Sequence, residues 1–304
     1  MKLKLLAALA AIFWAGTLPA QIRTGFKTGW NSARIIGESE TDAAGNSLET
    51  WKNVGGFHIG MTLTHKFESN PNFGLRAEIL YSKKGSKHTL TSKEKGATFR
   101  YFPTDPADLS KRVLTYSDEI DYLVAINNSY IDVPLLAFAR FGNFEFSAGV
   151  SAGVLIASYG EGSMRYKGYS ALFPLQSTNN LEFLLDHNYR RDDPGGFDDG
   201  NSTRLAARLN NQNVDLPQTI GAYYDYPDDK GNLFNTLDFS AIGGVSYYLS
   251  RALYASVRLQ YGLSDISNNK ADISRTKLDA DNQPVLLDRK DRNLVTQISV
   301  GFSF

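Results

Sequence analysis

The stretch Asn293 to Phe304 does most to limit the folds open to this chain. Counting back from Phe304, the positions Phe302, Val300, Ile298, Thr296 and Leu294 make one face. Ser303, Gly301, Ser299 and Gln297 make the other, with Val295 alone out of pattern. A period of two belongs to a strand with unlike faces. Gly and Ser on the second face suit either solvent or a narrow polar interior, so one strand leaves both a sandwich and a barrel open. The number of repeats decides between them.

The alternation recurs seven times upstream. Phe26, Thr28 and Trp30 oppose Gly25, Lys27, Gly29 and Asn31. Phe57, Ile59, Met61 and Leu63 oppose His58, Gly60, Thr62 and Thr64. After Asn70-Pro71-Asn72, read as a short break, Phe73, Leu75, Ala77, Ile79 and Tyr81 oppose Gly74, Arg76, Glu78 and Ser82. Residues 83–129 are charged and interrupted by Pro103 and Pro106, although Tyr116 to Ile126 has the pattern to prolong a strand above a membrane surface. Ile131 to Phe141 then alternates up to Gly142-Asn143, where Gly suits the positive φ of a two-residue hairpin, and Phe144 to Ile156 answers it. A polar insertion, 157–236, reads as too polar to build much core of its own. Strands follow at Leu237 to Leu249 and Leu253 to Leu263, joined by a tight turn at Ser250 to Ala252, and the polar loop 264–292 leads to the last strand.

Eight strands are thus joined by connections that alternate long and short. In a membrane-spanning barrel this asymmetry separates long extracellular loops from short periplasmic turns and puts both termini on the periplasmic side. About 11 residues at roughly 3.3 Å each, tilted about 40°, reach about 28 Å along the barrel axis, enough for an apolar band of about 25 Å. After residue 20 no apolar run approaches the roughly 18 residues of a spanning helix, so membrane crossing falls to strands. Phe67, Phe73, Phe141, Phe144, Phe302 and Phe304 at the short-turn end, and Trp30, Tyr81 and Tyr261 towards the other, fit interfacial girdles. An exported sandwich or lipocalin-like barrel would carry many Lys and Glu on its second face, where this chain carries Gly, Ser, Thr and single charges. The expected fold is therefore all-β: an eight-stranded antiparallel up-and-down transmembrane barrel over 21–304, with 157–236 as a large extracellular insertion.

Met1 to Ala20 reads as a secretory signal peptide, with Lys2 and Lys4 before the apolar run Leu5 to Trp14 and Leu18-Pro19-Ala20 as its cleavage site. Its removal leaves 30 basic against 32 acidic residues, so no basic field exists to neutralise nucleic-acid phosphates. The absence of cysteine excludes disulfides, thiolate chemistry and a lipid-modified N-terminal Cys. These readings point to the outer membrane of a Gram-negative bacterium, with outer-membrane lipid and the barrel-insertion machinery as partners and no cofactor.

Gly25-Phe26-Lys27-Thr28-Gly29-Trp30-Asn31 resembles the G-x-K-x-G-x-N opening of the PorT-like family of bacterial outer-membrane β-barrels. Tyr130-Ile131-Asp132-Val133-Pro134-Leu135-Leu136 resembles that family's mid-chain strand, and Phe146-Ser147-Ala148-Gly149 with Ala152-Gly153 its hairpin partner. Terminal Phe304, with Phe302, is similar to the C-terminal aromatic signal that outer-membrane barrels present to the insertion machinery. The resemblance implies a barrel whose members include one linked to protein secretion. The insertion 157–236 departs from the compact family pattern.

Parity along the strands puts Lys27, Arg76, Arg140 and Arg258 inside against Glu78, Asp132, Glu145 and Asp238, a balanced set expected to form a salt-bridged plug, since eight strands enclose only enough room for side chains. His58 is expected inside, and His88 and His187 in different loops; with His65 they invite comparison with barrel enzymes, but no Ser-His-Asp arrangement can be read from them. Asp192-Asp193, Asp198-Asp199-Gly200-Asn201 and Asp225 to Asn232 could offer oxygens to Ca²⁺, although none has EF-hand spacing. Tyr223, Tyr224 and Tyr226 are suited to contacting a partner or to capping the barrel mouth. The function expected is non-enzymatic: long loops presented to an envelope or surface partner. A barrel enzyme acting on lipid or peptide and a narrow channel are the alternatives.

Overall fold

The computed structural model describes residues 22–93, 97–101, 113–167, 181–197, 204–209, 212–226, 228–281 and 283–304. The signal-peptide reading and Asp198 to Asn201 lie outside them. Eight principal strands carry the fold: β1 (Ile22–Ile36), β2 (Val54–Phe67), β3 (Asn70–Ser92), β4 (Glu119–Phe141), β5 (Phe144–Lys167), β6 (Leu237–Tyr248), β7 (Leu253–Gly262) and β8 (Arg292–Ser303). Each pairs antiparallel with its neighbours in sequence, and β8 pairs with β1 from Ser303↔Gly25 to Arg292↔Ile36, so every strand of the eight has two partners.

The alternation in the sequence becomes two faces of this sheet. Lys27, Asn31, His58, Glu78, Asp132, Ser151, Asp238, Arg258, Gln297 and Ser299 are buried on the inner face. Met61, Leu135, Val150, Val257 and Ile298 are each more than half exposed on the outer face. An apolar belt of that extent in water would be an aggregation surface; facing lipid it is at its free-energy minimum. Aromatic pairs edge the belt: Phe73–Phe141 and Phe144–Tyr247 near the short turns, and Phe57–Tyr81 towards the other end.

The short connections follow the turn chemistry. Gly142 has φ +60°, the left-handed value its hairpin requires. Asn70-Pro71-Asn72 belongs to β3 rather than to a break; the turn lies at Glu68-Ser69, beside an irregularity between Lys66 and Phe67. Gly301 is needed for space. It faces inward opposite Tyr254, and a Cβ there would come within 2.2 Å of the tyrosine ring. Gly301→Val should lower barrel stability by about 1–3 kcal/mol, read as earlier loss of the fast-migrating unboiled gel band, and Tyr254→Ala in the same chain should restore part of it. An unchanged band for the single variant would show that the ring moves aside freely.

The alternation in the sequence marks β3 only as far as Tyr81-Ser82 and β5 only as far as Ile156. Both run on, β3 to Ser92 and β5 to Lys167, and β4 begins at Glu119, as the pattern from Tyr116 to Ile126 allowed. Strand Glu49–Lys52 joins the edge of β3, and strand Leu181–Asn188 joins β5. These extensions raise a sheet beyond the apolar belt, and most of the molecule's hydrophobic core collects against it. Leu90, Ile120, Tyr122, Val124 and Ile126 from the strands pack with Met164, Tyr166, Phe183, Leu185, Tyr189, Leu216, Ile220 and Tyr223. The expectation that 157–236 builds little core is corrected. Its scattered aromatics are too far apart in sequence for a periodic signal, yet they bury together because the extended strands give them a wall.

Candidate functional site

Strand β3 is the spine of the interior, because its inward positions Arg76, Glu78, Lys84 and His88 each anchor one polar layer. Nearest the short turns, Arg76 donates to both oxygens of Glu145 at 2.7 and 3.1 Å, and Tyr248 donates to the same carboxylate at 2.9 Å. The Arg76 guanidinium lies over the rings of Phe138 and Tyr254. In the next layer Arg258 meets Glu78 through two bonds of 2.6 Å, with the Lys27 ammonium 3.8 Å from the same carboxylate. His58 bridges Asn31 and Ser299. Farther along, Lys84 is held by Asp132 at 2.9 Å and Asp238 at 3.3 Å, over the ring of Tyr130, and Asn293 donates to Asp238.

These layers carry formal charges of zero, plus one and minus one. The lumen is neutral as a whole only because the second and third layers offset each other. Seven of the eight interior charges read from the sequence occupy these positions: Lys27, Arg76, Glu78, Asp132, Glu145, Asp238 and Arg258. Arg140 does not. It lies half-buried at the turn, bonded to the Gly142 carbonyl and stacked 3.7 Å over the Tyr248 ring, because Glu145 directly opposite it in register is already taken by Arg76. Lys84 takes the missing positive place. Parity would have found it, as the same inward face continues through positions 76, 78, 80, 82 and 84.

A fourth layer lies past the belt. Arg289 donates to Glu49 at 2.6 Å and through two bonds to Asp272 at 2.7 and 3.1 Å, with Asp291 at 3.8 Å. His88 bonds Glu49 at 3.1 Å and stacks on Trp51 with ring centres 4.0 Å apart. Burial pushes the His88 imidazole down, so it bonds Glu49 as a neutral ring. Burial alone would raise Glu49, but the His88 bond and the Arg289 charge hold its carboxyl down to about 2. Asp291 is pushed up to about 7 by burial that Arg289 offsets only in part. Glu40 accepts bonds from Ser274 and Thr276, and Arg275 pairs with Asp225 and covers the Tyr122 ring. Glu40, Glu49, His88, Asp272, Arg275 and Arg289 line a cavity of about 50 Å³, enough for a few waters.

The remaining sequence candidates fall as follows. Tyr223, Tyr224 and Tyr226 are buried in the loop core, so the partner-contact reading is corrected and the capping one describes them. Tyr223 donates to the Tyr189 carbonyl at 2.7 Å and Tyr226 to the Ala271 carbonyl at 2.5 Å. His187 is buried, bonded to Tyr189 and pushed down to about 3 by desolvation. The described residues bring no Ser or Thr hydroxyl to the His88 ring. Asp192 accepts from the amides of Asn188 and Ala222, and among the described residues no three His, Cys, Asp or Glu converge as metal ligands. Phe302 and Phe304 are exposed at the short-turn end.

A family model described as an outer membrane protein beta-barrel domain matches residues 14–268. No curated protein matches the sequence. Among solved structures, the attachment invasion locus protein Ail of Yersinia pestis is 10% identical over 94% of this chain and 100% of its own, with a TM-score of 0.34. Neisserial surface protein A is 9% identical over 92% and 97% (TM-score 0.34). Pseudomonas aeruginosa OprG is 11% identical over 94% and 96% (TM-score 0.34).

Proposed function

From the premise that the chain belongs to the outer membrane protein beta-barrel family, and is therefore an outer-membrane protein of Gram-negative type, we propose that it is a closed, non-conducting, non-enzymatic eight-stranded barrel. Its work is to hold a folded loop module at the cell surface, where that module meets an envelope or surface partner. Within the family it falls in the PorT-like group, on the strength of Gly25 to Asn31 and Tyr130 to Leu136. The short turns and both chain ends are periplasmic, and the extended strands and their cored loops face outward.

The observation that carries this reading is the stack of ion-paired layers across the lumen. Arg258, Tyr130, Tyr254, Lys27 and Lys84, among the largest of the fully buried side chains, lie within it. A channel needs a water path along its axis; here the pairs Arg76–Glu145, Arg258–Glu78 and Lys84–Asp238 reach across the lumen between strands that are not neighbours, as a narrow eight-stranded interior favours. The neutral His88 is occupied in an ion-pair layer and stacked on Trp51, which supports a structural role over a catalytic one. Reconstituted in planar bilayers, the full-length protein should give no ohmic current. Stable, reproducible conductance steps would overturn the plugged-barrel reading.

A further inference from the structure

At the long-loop end, just past the outer aromatic girdle, the exposed cations of the principal strands and of strand Glu49–Lys52 that make no ion pair are gathered on one side of the molecule, while Arg165 and Lys167 on β5 are paired with Glu182 and Asp121. From this we infer that the side formed by β8, β1, β2 and β3 is a binding surface for the phosphate groups of the glycolipid in the outer leaflet. The inference rests on the reading that the long-loop end faces outward.

The residues are Arg34, Lys52, Lys83, Lys87 and Arg292. By parity all five are on the lipid-facing side of their strands, and all are exposed or half-exposed. None of the five makes an ion pair among the described residues. In the β1–β8 register Arg34 pairs with Leu294 and Ile36 with Arg292, so the two arginines are diagonal neighbours on one face. Lys52 and Lys87 are direct cross-strand partners. Like charges placed opposite one another destabilise a sheet, and an anion seated between them removes that cost.

Height matters as much as sign. Lys83 is two residues past Tyr81, Arg292 two past Leu294 (the partner of Tyr261), and Arg34 four past Trp30. At about 3.3 Å per residue and 40° tilt these cations stand about 5 to 10 Å beyond the girdle, in the headgroup zone. Lys87 stands about 15 Å beyond it, within reach of phosphates farther out on the sugar headgroup.

The neighbouring carboxylates do not compete. Glu49 and Asp291 face inward and are buried, Glu38 lies beyond the end of β1, and Asp121 on the outer face of β4 is held by Lys167 at 2.7 Å. Glu161 on β5 and Asp186 on the strand beside it are opposite one another instead. General attraction to an anionic membrane would be served by cations spread around the rim. A one-sided array fits a ligand with several phosphates at fixed spacing.

The test compares binding of bis-phosphorylated lipid A, the same lipid after phosphatase treatment, and phosphatidylglycerol to the purified full-length protein. It uses the wild type and the R34Q/K83Q/K87Q/R292Q variant. The wild type should bind the phosphorylated form at least about tenfold more tightly than the dephosphorylated one, and the variant should lose that preference. An E161Q/D186N control should keep it. If the quadruple variant lacks the fast-migrating unboiled band, R34Q/R292Q alone carries the comparison, with a smaller loss of preference in the same direction. Equal binding of the two lipid A forms, an unchanged preference in the variant, or equal binding of phosphatidylglycerol would overturn the inference. Because the natural chain has no cysteine, Asp279→Cys gives a single labelling site in the long-loop end. Failure of a membrane-impermeant maleimide to label it on intact cells would overturn the outward reading itself. Labelling without phosphate preference would overturn the lipid surface alone.

Discussion

Glu78→Gln should cost about 3–5 kcal/mol, a large share of the 5–15 kcal/mol that holds a typical domain folded. Glu78 is the sole carboxylate of its layer and faces both Arg258 and Lys27, each fully buried. Without it two cations remain in a low-dielectric interior with no counter-charge, and neither can reach water. Arg258→Gln should cost less, because Lys27 then remains to balance Glu78 in a neutral layer. Arg140→Ala should be milder still, since that side chain is half-exposed and loses only a turn bond and a ring contact. The measurement is the temperature at which the fast-migrating band disappears for each variant in the same detergent. The charge-balance account would be sunk if Glu78→Gln proved no more damaging than Arg258→Gln.

The loop module should weaken as pH rises from about 4 to about 7, and Asp291→Asn should remove most of that weakening. A carboxyl whose pKa is raised by folding keeps a proton that the unfolded chain has already lost. Its contribution is therefore complete below the ordinary value of 3.8 and disappears as pH climbs to about 7. The window is worth on the order of 2–4 kcal/mol. Glu49 acts in the opposite sense: its lowered pKa stabilises the module above 4.5, and that contribution is lost as pH falls towards 2. Amide hydrogen exchange in strand Glu49–Lys52 and in Ile266 to Asp272, followed from pH 4 to pH 8, reads this directly. Persistence of the whole loss in Asp291→Asn would assign it to another group, such as Asp272, which burial also pushes up.

The strands and the inward or outward direction of their side chains were legible because direction in a strand depends only on parity. Glu145 and Asp238 could be placed inside without knowing any neighbour. Parity fails only where the strand is thought to stop. Lys83-Lys84-Gly85-Ser86-Lys87 reads as a solvated loop by composition, and this hid Lys84 although its parity was correct. Arg140 shows the converse: its face and height were readable, but the choice of Glu145 between two arginines depends on which guanidinium the curved wall brings to it.

The sequence by itself determined an all-β chain of eight amphipathic strands, an apolar belt, girdle aromatics and a polar, charge-balanced inner face, since each follows from a local period of two and from turn residues. Only the tertiary structure decided which charges pair and where the hydrophobic core lies. Glu49, His88, Asp272 and Arg289 come from four segments, with Glu49 and Arg289 separated by 240 positions. Tyr223, Tyr224 and Tyr226, suited by chemistry to either partner contact or capping, are part of the core of the outer module. No local period encodes either result, because both depend on strands rising past the membrane and bringing distant loops against a common wall.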